Sequence, residues 1–151
     1  MADESRKLAA LLLGNAVGSY LVAKSIIERP GSTFPYPPFF ENIGYVLELA
    51  MKAYVLDHGG TPGECKHALR HDLRKAARRV CELGLGQMSQ DTATLIDQIG
   101  PYHRDRSFRY LTDIDVADLP DAQGALDVVE RFLRTVLAQL PGLLSSDSNS
   151  K

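Results

Sequence analysis

The chain has 151 residues, 44% of them apolar and 24% charged, with a formal net charge of −2. That is enough for one domain with its own core and an ordinary soluble composition. It excludes a chain-wide polycation for nucleic acid, so any basic surface is local.

Residues 3–27 carry the pattern of a first helix. Asp3 or Ser5 caps it, and Leu8, Leu11, Leu12, Ala16, Leu21, Ala23, Ile26 and Ile27 form a wide apolar face. The most apolar part, residues 8–23, is short for a membrane span and contains Asn15 and Ser19. The ADESRK flank mixes both charges, unlike a signal peptide, so a buried core helix with no membrane contact is expected. Gly14 and Gly18 share one side of this helix and are expected to let another helix approach closely. Residues 29–38, RPGSTFPYPP, hold prolines at 30, 35, 37 and 38, which predict an extended connection. The rings of Phe34, Tyr36, Phe39 and Phe40 are expected to fold over the core.

A second helix is predicted over residues 40–56, with Ile43, Leu47, Ala50, Met51 and Tyr54 on one face. Glu48 and Lys52 lie one turn apart in the favoured order, which on an exposed face is worth about 0.2–0.5 kcal/mol. Gly59 ends this helix, and Gly-Thr-Pro-Gly at 60–63 is turn chemistry. A third helix is expected over residues 64–83, burying Leu69, Leu73, Ala76, Ala77 and Val80. Between residues 66 and 79, six Lys and Arg face Asp72 alone, a local charge of +5.

Ser89 is the expected N-cap of a fourth helix ending near Ile99, where Gly100-Pro101 interrupts it. The aromatic and basic run PYHRDRSFRYL follows, with a short strand near residues 108–111 as one option. The acidic residues Asp113, Asp115 and Asp118 form the next connection. Asp121 caps a fifth helix to about Leu140, which Pro141-Gly142 stops. Residues 1–142 therefore read as one all-α domain, an up-and-down bundle of four to five helices, and residues 143–151 as a disordered tail. Two cysteines do not suggest a disulfide framework and fit a reducing, cytoplasmic setting. On one continuous third helix, Cys65 and Cys81 would lie about 24 Å apart, too far to bridge.

Two clusters are candidates for chemistry. The first is His67, His71 and Asp72, with Cys65 nearby. His67 and His71 share a helix face, but no third ligand converges and the surrounding field is cationic, so no metal and no cofactor is expected. His71 and Asp72 then read as a structural contact. The second is Tyr102, His103, Arg104, Arg106, Arg109 and Tyr110, which together offer guanidinium groups for phosphate and rings for bases. Its bland counterpart is a loop pairing these arginines with Asp105, Asp113 and Asp115. Arg70, Arg74 and Arg78 extend the basic surface along the third helix. P-loop, GxGxxG, GxSxG and CxxC motifs are all absent.

The run Glu48, Lys52, Ala53, Tyr54, followed after glycines by His71, Asp72 and Leu73, resembles HEPN-domain proteins (higher eukaryotes and prokaryotes nucleotide-binding). The later Arg109-Tyr110 is similar to a feature of some members. The resemblance covers about two thirds of the chain and implies a helical bundle, a homodimer and a role with RNA or nucleotides. Toxin-like members are ribonucleases paired with nucleotidyltransferase-like antitoxins, which makes such an antitoxin an implied partner. Their catalytic motif places Arg before His with four to six residues between them. Here His103 follows Ile96, Asp97 and Gln98 at those offsets, His67 follows Gly60, Thr61 and Pro62, and His58 and His71 find Lys52 and Lys66 but no Arg.

The expected function is therefore a non-catalytic HEPN-like module binding RNA, nucleotide or a protein partner through its basic surface. One alternative is a divergent metal-independent ribonuclease using His71 or His103 with Arg104 or Arg109. Another is an oligomerisation or protein-interaction module with the aromatic residues 34–40 as its interface.

Overall fold

The structure is a computed structural model that describes residues 2–29, 31, 34–110 and 115–144. Its elements are α1 (Ala2–Glu28), α2 (Tyr36–Asp57), a π-helical turn (Glu64–Leu69), α3 (Leu73–Glu82), α4 (Gln90–Arg104), α5 (Ser107–Tyr110), a 3-10 turn (Val116–Asp118) and α6 (Ala122–Ala138). Among the described residues there is no strand, and the all-α bundle expected from the apolar periodicity is what forms. The strand option near residue 108 gives way to α5.

α2 is the central helix. From Phe39 to Leu56 nearly every side chain is buried, because α1, α3, α4, α5 and α6 all pack on it. Arg6 at the start of α1 pairs with Asp57 at the end of α2 at 3.0 Å, so the two helices run antiparallel. Tyr20 of α1 donates to Glu130 of α6 at 2.5 Å, which pushes the phenol up to about 12, burial being the larger cause. At the C-terminal ends of α2 and α6, the Tyr54 hydroxyl reaches Gln139 Oε1 at 3.4 Å.

Several boundaries differ from the sequence expectation. α2 starts at Tyr36, four residues early, with Pro37 and Pro38 in its first turn. The first four N–H groups of a helix have no intrahelical acceptor, so prolines there lose nothing. The third helix is not continuous. It breaks at Arg70, whose φ of 50 and ψ of −121 begin a tight turn closed by Asp72 N donating to Leu69 O at 2.9 Å. Asp72 then caps α3 by accepting from Lys75 N at 3.1 Å. α4 does not stop at Gly100-Pro101 but carries Pro101 inside and runs on to Arg104.

α1 is only partly a core helix. Ala9, Leu13, Ala16, Ala23 and Ile26 are buried, yet Leu11 is 60% and Leu21 55% exposed. By length and composition this helix is apolar enough to cross a membrane. Gly14 and Gly18 face outward and bring no helix close: a Cβ on Gly14 would meet only Leu144 at 4.0 Å, and one on Gly18 would meet nothing within 4 Å. Leu143 is buried against the core, so the packed body extends beyond residue 142, while residues 145–151 lie outside the described residues.

Candidate functional site

The centre of the site is Glu48. Its neighbours along α2 are Leu47, Ala50, Met51 and Ala53, all fully buried. Glu48 itself is 4% exposed and Lys52 8%, so the exposed helical pair expected from spacing is a buried one. A charge in such a place requires partners. Lys52 Nζ donates to Glu48 Oε2 at 2.9 Å. On Oε1, His103 Nε2 lies at 2.7 Å and His71 Nδ1 at 3.0 Å.

Burial by itself would raise the Glu48 pKa. The hydrogen bond from His103, the charges of Lys52 and His103, and the hydrogen bond from His71 reverse this and hold it at about 2, against an ordinary 4.5. An ionised carboxylate only accepts. Both hydrogen bonds therefore assign the tautomers: His103 carries a proton on Nε2 and His71 on Nδ1.

Each histidine arrives through a departure from regular structure. Beyond Pro101, α4 keeps its register, so Ile96, Ile99, Gly100 and His103 share its buried face. The His103 ring lies against bare backbone at Gly44. A Cβ built there would collide with Nδ1 and stand 2.9 Å from Cγ and Cε1, so the close approach requires glycine. Tyr45 packs on the same ring edge-on at 5.2 Å. His71 is turned back toward α2 by the positive φ of Arg70. The two imidazoles stand perpendicular, with centroids 6.0 Å apart.

Next to this cluster a cleft of about 440 Å³ opens to solvent, lined by Arg70, His71, Lys75, Arg104 and Arg106, with Asp72 and Asp105. A larger cleft of about 630 Å³, beside Arg6, Asp57 and Pro62, has no histidine or cysteine in its lining. The smaller one adjoins the buried polar cluster and is the candidate site for that reason.

The sequence candidates divide as follows. His71 and His103 meet on Glu48, and Arg70, Arg104 and Arg106 gather beside His71. Arg104 also pairs with Asp105 at 3.3 Å. Arg74 pairs with Asp97 of α4 at 2.9 Å and, like exposed Arg78, lies outside the cleft lining. The ring of half-buried Tyr102 packs on Phe108 with centroids 5.5 Å apart, and its hydroxyl reaches Asp118 at 3.4 Å. The side chains of Arg109 and Tyr110 fall outside the described residues, as do Thr112 to Ile114. His67 is exposed on the π-helical turn and does not share a face with His71, because the helix that would align them is broken between them. Cys65 is buried, its thiol pushed up by desolvation, and Cys81 is exposed; both are free thiols.

Glu48, Lys52 and Gly44 are site residues that sequence reasoning misses. The available signal is a charged pair inside a run that is otherwise apolar from Ile43 to Leu56. Comparison of the chain with protein-family models, curated proteins and solved structures finds no match.

Proposed function

We propose that the chain is a non-catalytic helical module of HEPN type that binds RNA phosphates in the cleft beside His71. One observation carries this. On a chain of net charge −2, Arg70, Lys75, Arg104 and Arg106 arrive from separate segments at a single cleft, whose acidic lining among the described residues is Asp72 and Asp105. Asp72 is already engaged as the cap of α3. Guanidinium forks suit phosphate oxygens. The absence of an Arg at the family's spacing before any histidine supports binding over cleavage.

The test is fluorescence anisotropy of a labelled single-stranded RNA across a salt series. Affinity should fall steeply with salt, and Arg70→Ala with Arg106→Ala should flatten the slope by about 0.7 for each phosphate that is no longer neutralised. Absent or salt-independent binding sinks the proposal, and equal affinity for a mononucleotide shifts it to nucleotides.

A specific feature favours cleavage as the second reading. His71 donates through Nδ1 to Glu48, its side chain is 34% exposed, and it lines the cleft. In the neutral ring Nε2, on the side away from Glu48, is the basic nitrogen, the arrangement of a carboxylate-oriented general base for a 2′-hydroxyl. RNA left intact by the wild-type protein over long incubation rules it out.

A further inference from the structure

The sequence offers His67 and His71 as a ligand pair without a third partner. The structure dissolves that pair and builds a different set. Glu48 Oε1, His71 Nδ1 and His103 Nε2 all lie within 4.8 Å of one another, from α2, the turn before α3, and α4. We propose that these three atoms form a binding site for one divalent transition-metal ion of the zinc or cobalt class.

Two imidazoles and one carboxylate are the donor set such ions take, at about 2.0–2.2 Å from each ligand atom. Tetrahedral ligands at that radius stand about 3.3–3.5 Å apart. The present separations of 2.7 and 3.0 Å must therefore open by about half an ångström. His71 can supply most of that movement, being the one partly exposed ligand, carried on a turn rather than within a helix. His103 is held against Gly44 and Tyr45 and fixes the other side.

Lys52 occupies Oε2, which makes Glu48 a monodentate ligand through Oε1 and orients it, as outer-shell partners do. The same ammonium, with the arginines of the cleft, opposes a cation. The site is accordingly one of moderate affinity rather than a closed structural zinc site. A void of about 10 Å³ bounded by Glu41, Tyr45, His71, His103 and Arg106 adjoins both rings, about the space of one water. Binding requires bare ligand nitrogens, so each neutral imidazole moves its proton to the opposite nitrogen, and any imidazolium releases one to solvent.

The experiment is calorimetric titration of the apo protein with ZnCl2, and with CoCl2 while recording the visible spectrum. It is done in a Cys81→Ser background so that the exposed thiol does not bind. We expect one ion per chain, Co2+ bands of nitrogen and oxygen ligation, and affinity lowered at least about tenfold by Glu48→Gln and by His71→Ala. His67→Ala should leave affinity unchanged. His71→Ala is the decisive variant, since a partly exposed side chain on a turn can be removed with the helical signal intact. No saturable binding by the parent, or undiminished binding by folded His71→Ala, overturns the proposal. The titration uses the metal alone, so its outcome is separate from that of the RNA assay.

Discussion

Glu48→Gln keeps the size of the side chain and removes its charge. Two routes give the size of the effect. Holding a carboxyl at about 2 rather than 4.5 corresponds to about 3 kcal/mol of folding stability. Independently, removing one partner of a buried ion pair costs about 3–5 kcal/mol, because the remaining charge stays buried. That charge is Lys52, whose side chain is 11% exposed. The expected loss near neutral pH is therefore about 3 kcal/mol, a large share of the total for a domain of this size. The sign with pH also follows. The folded carboxyl is depressed, so its contribution is fully present above 4.5 and is lost as pH falls from there toward 2. Urea unfolding followed by far-UV circular dichroism at several pH values measures both. Wild type should lose its advantage over Glu48→Gln as the pH drops through that window. Adding Lys52→Met to Glu48→Gln should recover part of the loss by removing the stranded ammonium. A neutral-pH difference below about 1 kcal/mol, or parallel acid profiles for the two proteins, would refute the account of Glu48 as a buried, multiply bonded anion.

Gly44→Ala places a methyl into the His103 ring and should cost about 1–3 kcal/mol. In a His103→Ala background the same change should cost clearly less, and additive losses in the double-mutant cycle would show that the ring is not what the methyl meets. Arg70→Gly relieves a φ of 50 and should raise stability by about 1 kcal/mol net of glycine's extra unfolded-state entropy. The same variant should weaken RNA binding, and a lower unfolding midpoint would contradict the strain. Asp121→Ala removes the acceptor for Gly124 N at 2.8 Å and should cost about 1 kcal/mol by thermal unfolding, with Asp121→Asn keeping most of it.

The bundle is legible in the chain because apolar period, caps and stops agree along most of its length. Asp121 and Ser89 cap α6 and α4 as their positions imply, and Gly59 takes positive φ just past the end of α2. The site is less legible because each of its parts breaks a local rule that pattern reading depends on. Proline is a helix breaker in general, and ending α4 at Gly100 cuts His103 off the face that carries it to Glu48. A basic residue with φ above zero leaves no composition signal, so the break at Arg70 is invisible and His71 falls on a continuous helix. Glu48 and Lys52 match the template for a solvent-exposed pair in spacing and order. Only the apolar residues on every side of them, Leu47, Leu49, Ala50, Met51 and Ala53, argue that no solvent face remains.

These exceptions converge. Gly44 bares the backbone for one histidine, Arg70 bends the chain for the other, Pro101 leaves α4 without one hydrogen bond short of His103, and a π-helical turn precedes Arg70. Each costs stability locally. A buried charged group of this kind is also no better for stability than apolar residues of the same volume. Irregularities spread at random through a bundle would not all fall in the segments that carry one carboxylate and its two histidines. Their concentration in the segments that carry Glu48, His71 and His103, beside the cleft where Arg70, Arg104 and Arg106 meet, is what singles out this end of the molecule as the candidate site.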